Sequence, residues 1–335
     1  MSTLKDVARL AHCHPSTVSR ALSNTSYIHP DTRARIMAAV EELSYHPDII
    51  ARGLKKGKRH TIGMIVPNLH ITIFDDIAQS IDTAARSLGY SVLFCHTNDD
   101  PETERECLDR LRSGFTDGII IASTGRNNSM LRDIHSDGLA VVQIIRQHDD
   151  SISSIVSDYR TGSYNAVKYL YAKGCRKIAL VNGIHKGVYA LSTYRTRYEG
   201  YVSAVNELGL AEICVCSGSV VNTFEEGCRC VDELLKVRPD ADAIMTAVDI
   251  FGMAALKVLR ERDIDVPDEC RVVSLTGCLV GHLLEKSLTS FEIPAELIGD
   301  TAVRMLVDEI EAPKDSKPEV QNVVLPASLS ERESS

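Results

Sequence analysis

Apolar residues recur at helical spacing three times in the first forty-five positions. Leu4, Val7, Ala8 and Ala11 share one face of a first short helix, Leu4–Ala11. His12-Cys13-His14 read as a turn. Pro15 suits the first turn of a second helix, because its missing N–H would be unpaired there anyway. That helix, Pro15–Ser23, turns Val18, Ala21 and Leu22 inward and leaves Ser16, Thr17, Ser19 and Arg20 outward. A third helix opens at His29-Pro30-Asp31 and runs to Ser44, with Ile36, Val40 and Leu43 inward. Two short helices joined by a three-residue turn and backed by a third form the helix-turn-helix arrangement. Its second helix enters the major groove, where hydroxyls and Arg meet phosphates and base edges.

Beyond Arg59 the pattern changes to alternating strands and helices. TIGMIVP, SVLFCHT, DGIIIAS, LAVVQII and SIVSD read as strands, with helices at Phe74–Leu88 and PETERECLDRLRSG between them. A second set follows Asp158. Its helices are Gly162–Lys173, Thr193–Leu208, Thr223–Lys236 and Ile250–Arg262, and its strands are KIALVNG, ICVCSG, AIMTAV and RVVSLTG. Repeated βα units with apolar strands predict doubly wound parallel sheets, and two sets predict two similar subdomains. Ligands bind beyond the carboxyl ends of such strands, so the cleft between subdomains is the expected site. Between head and body, Asp48–Lys55 read as one marginal helix. It is too short to be stable alone and is weakened by Gly53, so it should order only on pairing.

The net charge of -9 argues against nucleic acid until its distribution is considered. Residues 1–60 hold ten Lys/Arg against five acids, which leaves -14 on the remainder. A basic head on an acidic body is the footprint of a nucleic-acid binder whose larger part does something else. No run of eighteen apolar residues spans a membrane and no apolar leader opens the chain, which points to the cytoplasm. The ten cysteines are expected to be reduced and mostly buried. Cys214/Cys216 and Cys228/Cys230 have C-x-C spacing, which is not the usual zinc knuckle. Alternate strand positions that bury one side chain account for it, so no metal and no cofactor are expected. No G-x-G-x-x-G, P-loop, G-x-S-x-G or H-E-x-x-H is present, which argues against an enzyme.

The string TLKDVARLA-HCH-PSTVSRALSN strongly resembles the head of the LacI/GalR family of bacterial regulators. The resemblance continues through TRARI, AAVEELSYHP and ARGLKKGKRHTIGMIVP, and more loosely to the C-terminus. It implies an all-α helix-turn-helix head on an α/β core like a periplasmic binding protein, made of two doubly wound subdomains. The implied boundaries are 1–46 for the head, 47–59 for the hinge and 60–335 for the core. The N-subdomain would take about 60–158 and 292–320, and the C-subdomain about 159–291 and 321–330. The family's turn usually has Gly where His12 stands, so strain is expected there.

DNA contact is implied for Thr3, Leu4, Pro15, Ser16, Thr17, Ser19, Arg20, Tyr27, Thr32, Tyr45, Ala51, Leu54 and Lys55. Pro15 and Ser16 occupy the variable positions that choose the operator. Leu54 matches the hinge leucine that wedges into a minor-groove base step. Two heads on a two-fold axis imply a homodimer on a pseudo-palindromic operator, bound to the nucleoid. PASLSERESS carries no leucine heptad, so no tetramerising tail is expected.

For the effector, the resemblance implies Phe74, Arg146, Asp158, Arg197, Asp249 and Thr276. Arg197, in YRTRYEGY, matches the family's effector-binding arginine. Val248 replaces a usual Asn, Thr276 a usual sugar-binding Asp, and Ile145 a common Asp beside Arg146. Fewer acids beside Arg146, Lys186, Arg195 and Arg197 favour a sugar phosphate or another acidic metabolite. The expected function is a transcriptional regulator, a repressor of a carbohydrate or related operon. The alternative is a carbon-catabolite regulator controlled by a phosphocarrier protein.

Overall fold

The computed structural model describes residues 2–23, 26–45, 58–69, 72–187, 190–219, 222–313 and 319–335. The chain divides into two compact units, Met1–Arg59 and His60–Ser335.

The first unit holds α1 (Leu4–Leu10), α2 (Pro15–Ser23) and α3 (Pro30–Glu42). Val7, Ala8, Ala11, Val18, Ala21, Ile36 and Ala39 form its core, with Leu4, Leu22, Val40, Leu43 and Tyr45 packed around them. Thr3 and Asp6 close a reciprocal capping box on α1, which satisfies N–H groups left open by the first turn. His29 Nδ1 accepts from the Asp31 N–H at 3.4 Å, and Pro30 occupies the first turn of α3. The turn between α1 and α2 passes through His12 at φ +48°, the left-handed geometry that its place in the motif implies.

Among the described residues, the second unit contains two six-stranded sheets. The first comprises β1 (Thr61–Val66), β2 (Ser91–His96), β3 (Gly118–Ile121), β4 (Ala140–Ile144), β5 (Ser154–Ser157) and β11 (Asn322–Leu325), in the order β11-β5-β4-β3-β1-β2. The second comprises β6 (Ile178–Asn182), β7 (Cys214–Cys216), β8 (Ala243–Thr246), β9 (Arg271–Ser274), β10 (Thr289–Glu292) and β12 (Ser328–Ser330), in the order β12-β10-β9-β8-β6-β7. All pairings are parallel except β10 with β12. The unbroken apolar runs of β3, β4, β6 and β8 have this cause: a strand covered by helices on both faces buries every side chain. Leu93 and Phe94 stay more exposed because β2 is an edge strand.

The chain crosses between the sheets three times: after β5, after β10 and between β11 and β12. This corrects the expected boundary at the C-terminus. Asn322–Leu325 add a strand to the first sheet, and only from Ser328 does the chain rejoin the second. The Asp158 N–H donates to Leu325 O at 2.8 Å, tying two of the crossings together. Tyr159, at the first crossing, packs with the core of the first sheet although its helix, α7 (Tyr159–Ala172), packs against the second. The remaining helices of the unit are α4 (Thr72–Ser87), α5 (Pro101–Arg112), α6 (Asn128–Ser136), α8 (Ser192–Glu207), α9 (Phe224–Val237), α10 (Asp249–Glu261), α11 (Leu279–Leu283) and α12 (Ala295–Glu311).

Gly200 lets α7 and α8 approach closely, since a Cβ there would stand 2.1 Å from the Arg160 carbonyl oxygen. Backbone cannot yield as a flexible side chain can. Gly200→Ala is expected to destabilise the body by about 1–3 kcal/mol, the usual scale of overpacking. A lower urea midpoint for the variant checks this, and an unchanged midpoint contradicts it.

Candidate functional site

On the head, α2 presents a small polar network. His14 Nδ1 lies 2.8 Å from Ser16 Oγ. Arg20 donates from Nε to the Ser16 carbonyl at 3.2 Å and from Nη2 to Ser16 Oγ at 3.3 Å. Ser16, Ser19 and Arg20 are exposed, while Pro15 and Thr17 are half-buried. The sequence pattern pointed to Ser16 and Arg20 but missed His14, whose only signal is its position at the start of a helix. Tyr27 is 87% exposed, whereas Leu4 and Tyr45 contribute part of their surface to the head's core and Thr32 is half-buried. The Thr3 hydroxyl donates to Asp6 Oδ2 at 2.6 Å as part of the α1 cap. Ala51, Leu54 and Lys55 lie outside the described residues.

In the body, buried polar groups gather where the strands end. Arg146 follows β4 and pairs through both terminal nitrogens with the Asp99 carboxylate, Nη2 to Oδ2 at 3.1 Å. Burial opposes the Arg146 charge, yet Asp99 beside it holds the pKa above the ordinary guanidinium value. Ile145 reaches this point with φ +65°. For a β-branched residue that is a real backbone outlier, and such outliers persist where surrounding contacts over-determine them.

Arg197 of α8 is also buried, with its guanidinium 4.3 Å from the ring centre of Tyr159 and 5.8 Å from that of Tyr194. Burial lowers its pKa, partly offset by the two tyrosines and by Asp249. Tyr159 is pushed up to about 12 by the same burial. Asp249 opens α10. Its backbone N–H donates to Thr276 Oγ1 at 3.1 Å, and its Oδ1 accepts from the Gly277 N–H at 3.1 Å. Across the cleft on α4, Asp76 has a pKa raised by burial, by Asp75 and by Asp249.

Among the described residues, Arg146 Nε, Arg197 Nε, the Tyr159 hydroxyl and Asp249 Oδ2 are buried with no hydrogen-bond partner. Folded proteins leave few such atoms, and a cluster of them at the strand ends marks a place built for polar contacts from outside the fold.

Of the six expected effector residues, Arg146, Arg197 and Asp249 gather in this cluster, and Thr276 joins it through Asp249. The other two have structural duties. Asp158 caps α7, accepting from the Thr161 N–H at 2.9 Å, and Phe74 is buried in the core beside the first sheet. Lys186 lies elsewhere, 4.8 Å over the Tyr198 ring on the outer edge of the second sheet, and Arg195 is exposed. Tyr159, Tyr194 and Asp99 were not legible as site residues, because nothing in local spacing brings residues 99, 159, 194 and 249 together.

Residues 59–332 match the model for periplasmic binding proteins and the sugar binding domain of the LacI family, and residues 3–48 match that for bacterial regulatory proteins of the lacI family. The chain belongs to the LacI family. As a LacI-family protein it is a DNA-binding transcriptional regulator and not an enzyme. It is 28% identical to a ribose operon repressor of Halalkalibacterium halodurans, over 93% of this chain and 91% of that one. It is 29% identical to the transcriptional regulator RegA of Clostridium saccharobutylicum, over 99% of both. A solved complex of the regulator CelR with cellobiose superposes with a TM-score of 0.72 at 25% identity, covering 100% of each chain. The relatives give no support to control by a phosphocarrier protein.

In this LacI-family site the Thr276 hydroxyl holds the first N–H of α10, which no intrahelical bond can satisfy. Thr276→Val keeps the shape and removes that acceptor. The orphaned buried N–H should cost about 1–3 kcal/mol. A chemical-denaturation midpoint equal to that of the parent protein would show the bond to be dispensable.

Proposed function

We propose that this regulator represses a carbohydrate operon and that its operator affinity is set by an uncharged polyhydroxylated metabolite held between Arg197 and Asp249. The observation that carries this reading is the charge balance of the cluster. Arg146 is already neutralised by Asp99, and Asp249 acts on Arg197. A phosphate ester would bring further negative charge into a buried site where Arg146 is already paired and Arg197 is opposed by the carboxylates of Asp249 and Asp76, and the desolvation cost of such a group is severe. Hydroxyls fit better, since they accept from Arg197 and donate to Asp249 Oδ2, and an apolar sugar face packs on Tyr159. The charge balance favours an uncharged effector over the sugar phosphate expected from the sequence. Lys186, counted towards that expectation, lies outside the cleft.

On the DNA side, the exposed network of His14, Ser16 and Arg20 supports α2 as the reading helix, with Thr17, Ser19 and Pro15 beside it. Thr3, Leu4, Tyr27, Thr32 and Tyr45 are assigned the backbone contacts that position it. By resemblance, Ala51, Leu54 and Lys55 enter the minor groove. The regulator acts as a homodimer on the nucleoid, in the cytoplasm. Exposed Leu279, Val280 and Leu283 on α11, together with Leu93 and Phe94 on the β2 edge, supply apolar surface for pairing.

Calorimetric titration of the full chain is expected to show free sugars binding more tightly than their phosphate esters, and tighter esters would reverse the assignment. Arg197→Met should weaken the sugar by about tenfold to a hundredfold, corresponding to loss of a charged hydrogen bond of 1.5–3 kcal/mol. Its thermal midpoint should fall, because Asp249 is left less compensated, and circular dichroism should show that it is still folded at the titration temperature. Footprinting of operator DNA should give a two-fold symmetric protected site whose occupancy responds to the sugar in the parent and not in Arg197→Met. Analytical ultracentrifugation should give a dimer that Leu283→Glu converts to monomer. A monomeric parent with full operator affinity would refute the paired arrangement.

A further inference from the structure

On the outer edge of the second sheet, away from the effector cluster, three soft ligand groups converge. Cys214 and Cys216 are two apart on β7, so their side chains share one face of the strand. Their Sγ atoms lie 3.9 Å apart. The register of β6 against β7 pairs Asn182 with Cys216, and the chain leaving β6 brings His185 alongside. His185 Nδ1 lies 3.2 Å from Cys216 Sγ, and one ligand atom from each of the three residues lies within 4.8 Å of the others. Among the described residues this is the one set of three such side chains.

A tetrahedral zinc ion with Zn–S near 2.3 Å and Zn–N near 2.0 Å has ligand-to-ligand edges of about 3.8 Å for S–S and about 3.5 Å for S–N. The two measured edges differ from these by a few tenths of an ångström, within reach of side-chain rotation. The set is also chemically selective. Two thiols and an imidazole favour a thiophilic d10 ion over calcium or magnesium, which take oxygen.

The surroundings prepare the ligands. The His185 ring is buried and stacks on Tyr198 with centroids 4.2 Å apart. The three groups open into a depression of about 240 Å³ lined by Glu212, Tyr198 and Ser217, which leaves a fourth position to water. Cys228 and Cys230, on the neighbouring α9, are not part of the set. The four thiols weighed together from sequence thus fall on two different elements, and the third ligand is a histidine that spacing alone did not suggest.

We propose that Cys214, Cys216 and His185 bind a thiophilic divalent ion, with zinc as the probe. Binding expels the thiol protons into solvent, and two thiolates then balance the charge of the ion. The ion cross-links an edge strand to the segment after β6 that leads into α8, the helix bearing Tyr194 and Arg197.

The reduced full chain, kept free of oxygen, is titrated with Co2+ and then with Zn2+. One equivalent of cobalt should give thiolate-to-cobalt charge transfer and the intense visible bands of a tetrahedral site, and zinc should abolish both. Cys214→Ser and Cys216→Ser should each lower Zn2+ affinity at least tenfold, whereas Cys228→Ser should leave it unchanged. Circular dichroism melts establish that each variant is folded. A measurement on the parent chain alone stands if one is not: Zn2+ should protect Cys214 and Cys216, mapped by mass spectrometry, from alkylation. Absence of charge transfer, equal zinc affinity in the serine variants, or a Cys214–Cys216 disulfide with no metal uptake by the reduced chain would overturn the proposal.

Discussion

The buried guanidinium of Arg197 is the constraint around which the body is arranged. A cation taken out of water needs compensation, and here it comes from the faces of Tyr159 and Tyr194 and from the field of Asp249. Tyr159 packs with the core of the first sheet, while Arg197 is carried by a helix of the second. The stacking therefore spans the boundary between subdomains at one of the three points where the chain crosses it. On the reading proposed above, a ligand that engages Arg197 would act on a contact that spans the two subdomains, and so would couple to their separation.

The second buried arginine solves the same problem differently. Arg146 is held by a carboxylate at both terminal nitrogens, and the strained Ile145 before it fixes where the guanidinium sits. One arginine is thus a rigid wall and the other an available donor. The two have the same chemistry in sequence and opposite roles in space, so counting cations near a cleft misjudges the charge a ligand would meet.

The head and the outer edge of the second sheet show how much local pattern conveys. Helical periodicity, Pro15 and Pro30 located the three helices and their inward faces, because each signal acts within one or two turns of chain. The left-handed turn at His12 was legible through the family resemblance, which puts Gly at that place. The C-x-C spacing was also visible, but its partner was not. His185 is nearly thirty residues from Cys214 and meets it only through the pairing of β6 with β7.

Sequence by itself determined the three helices of the head, the first nine strands of the body with their parallel winding and six of the body's helices, the division into head and body and the family, since apolar runs, turn residues and a dense motif are properties of contiguous chain. Tertiary structure alone decided which polar residues share a site. It added β11 to the first sheet after two crossings. It gave Phe74 to the core, and it set Asp99 against Arg146 and Tyr159 under Arg197. Each of these joins residues from separate βα units, and only the closing of the sheets creates the distance between them.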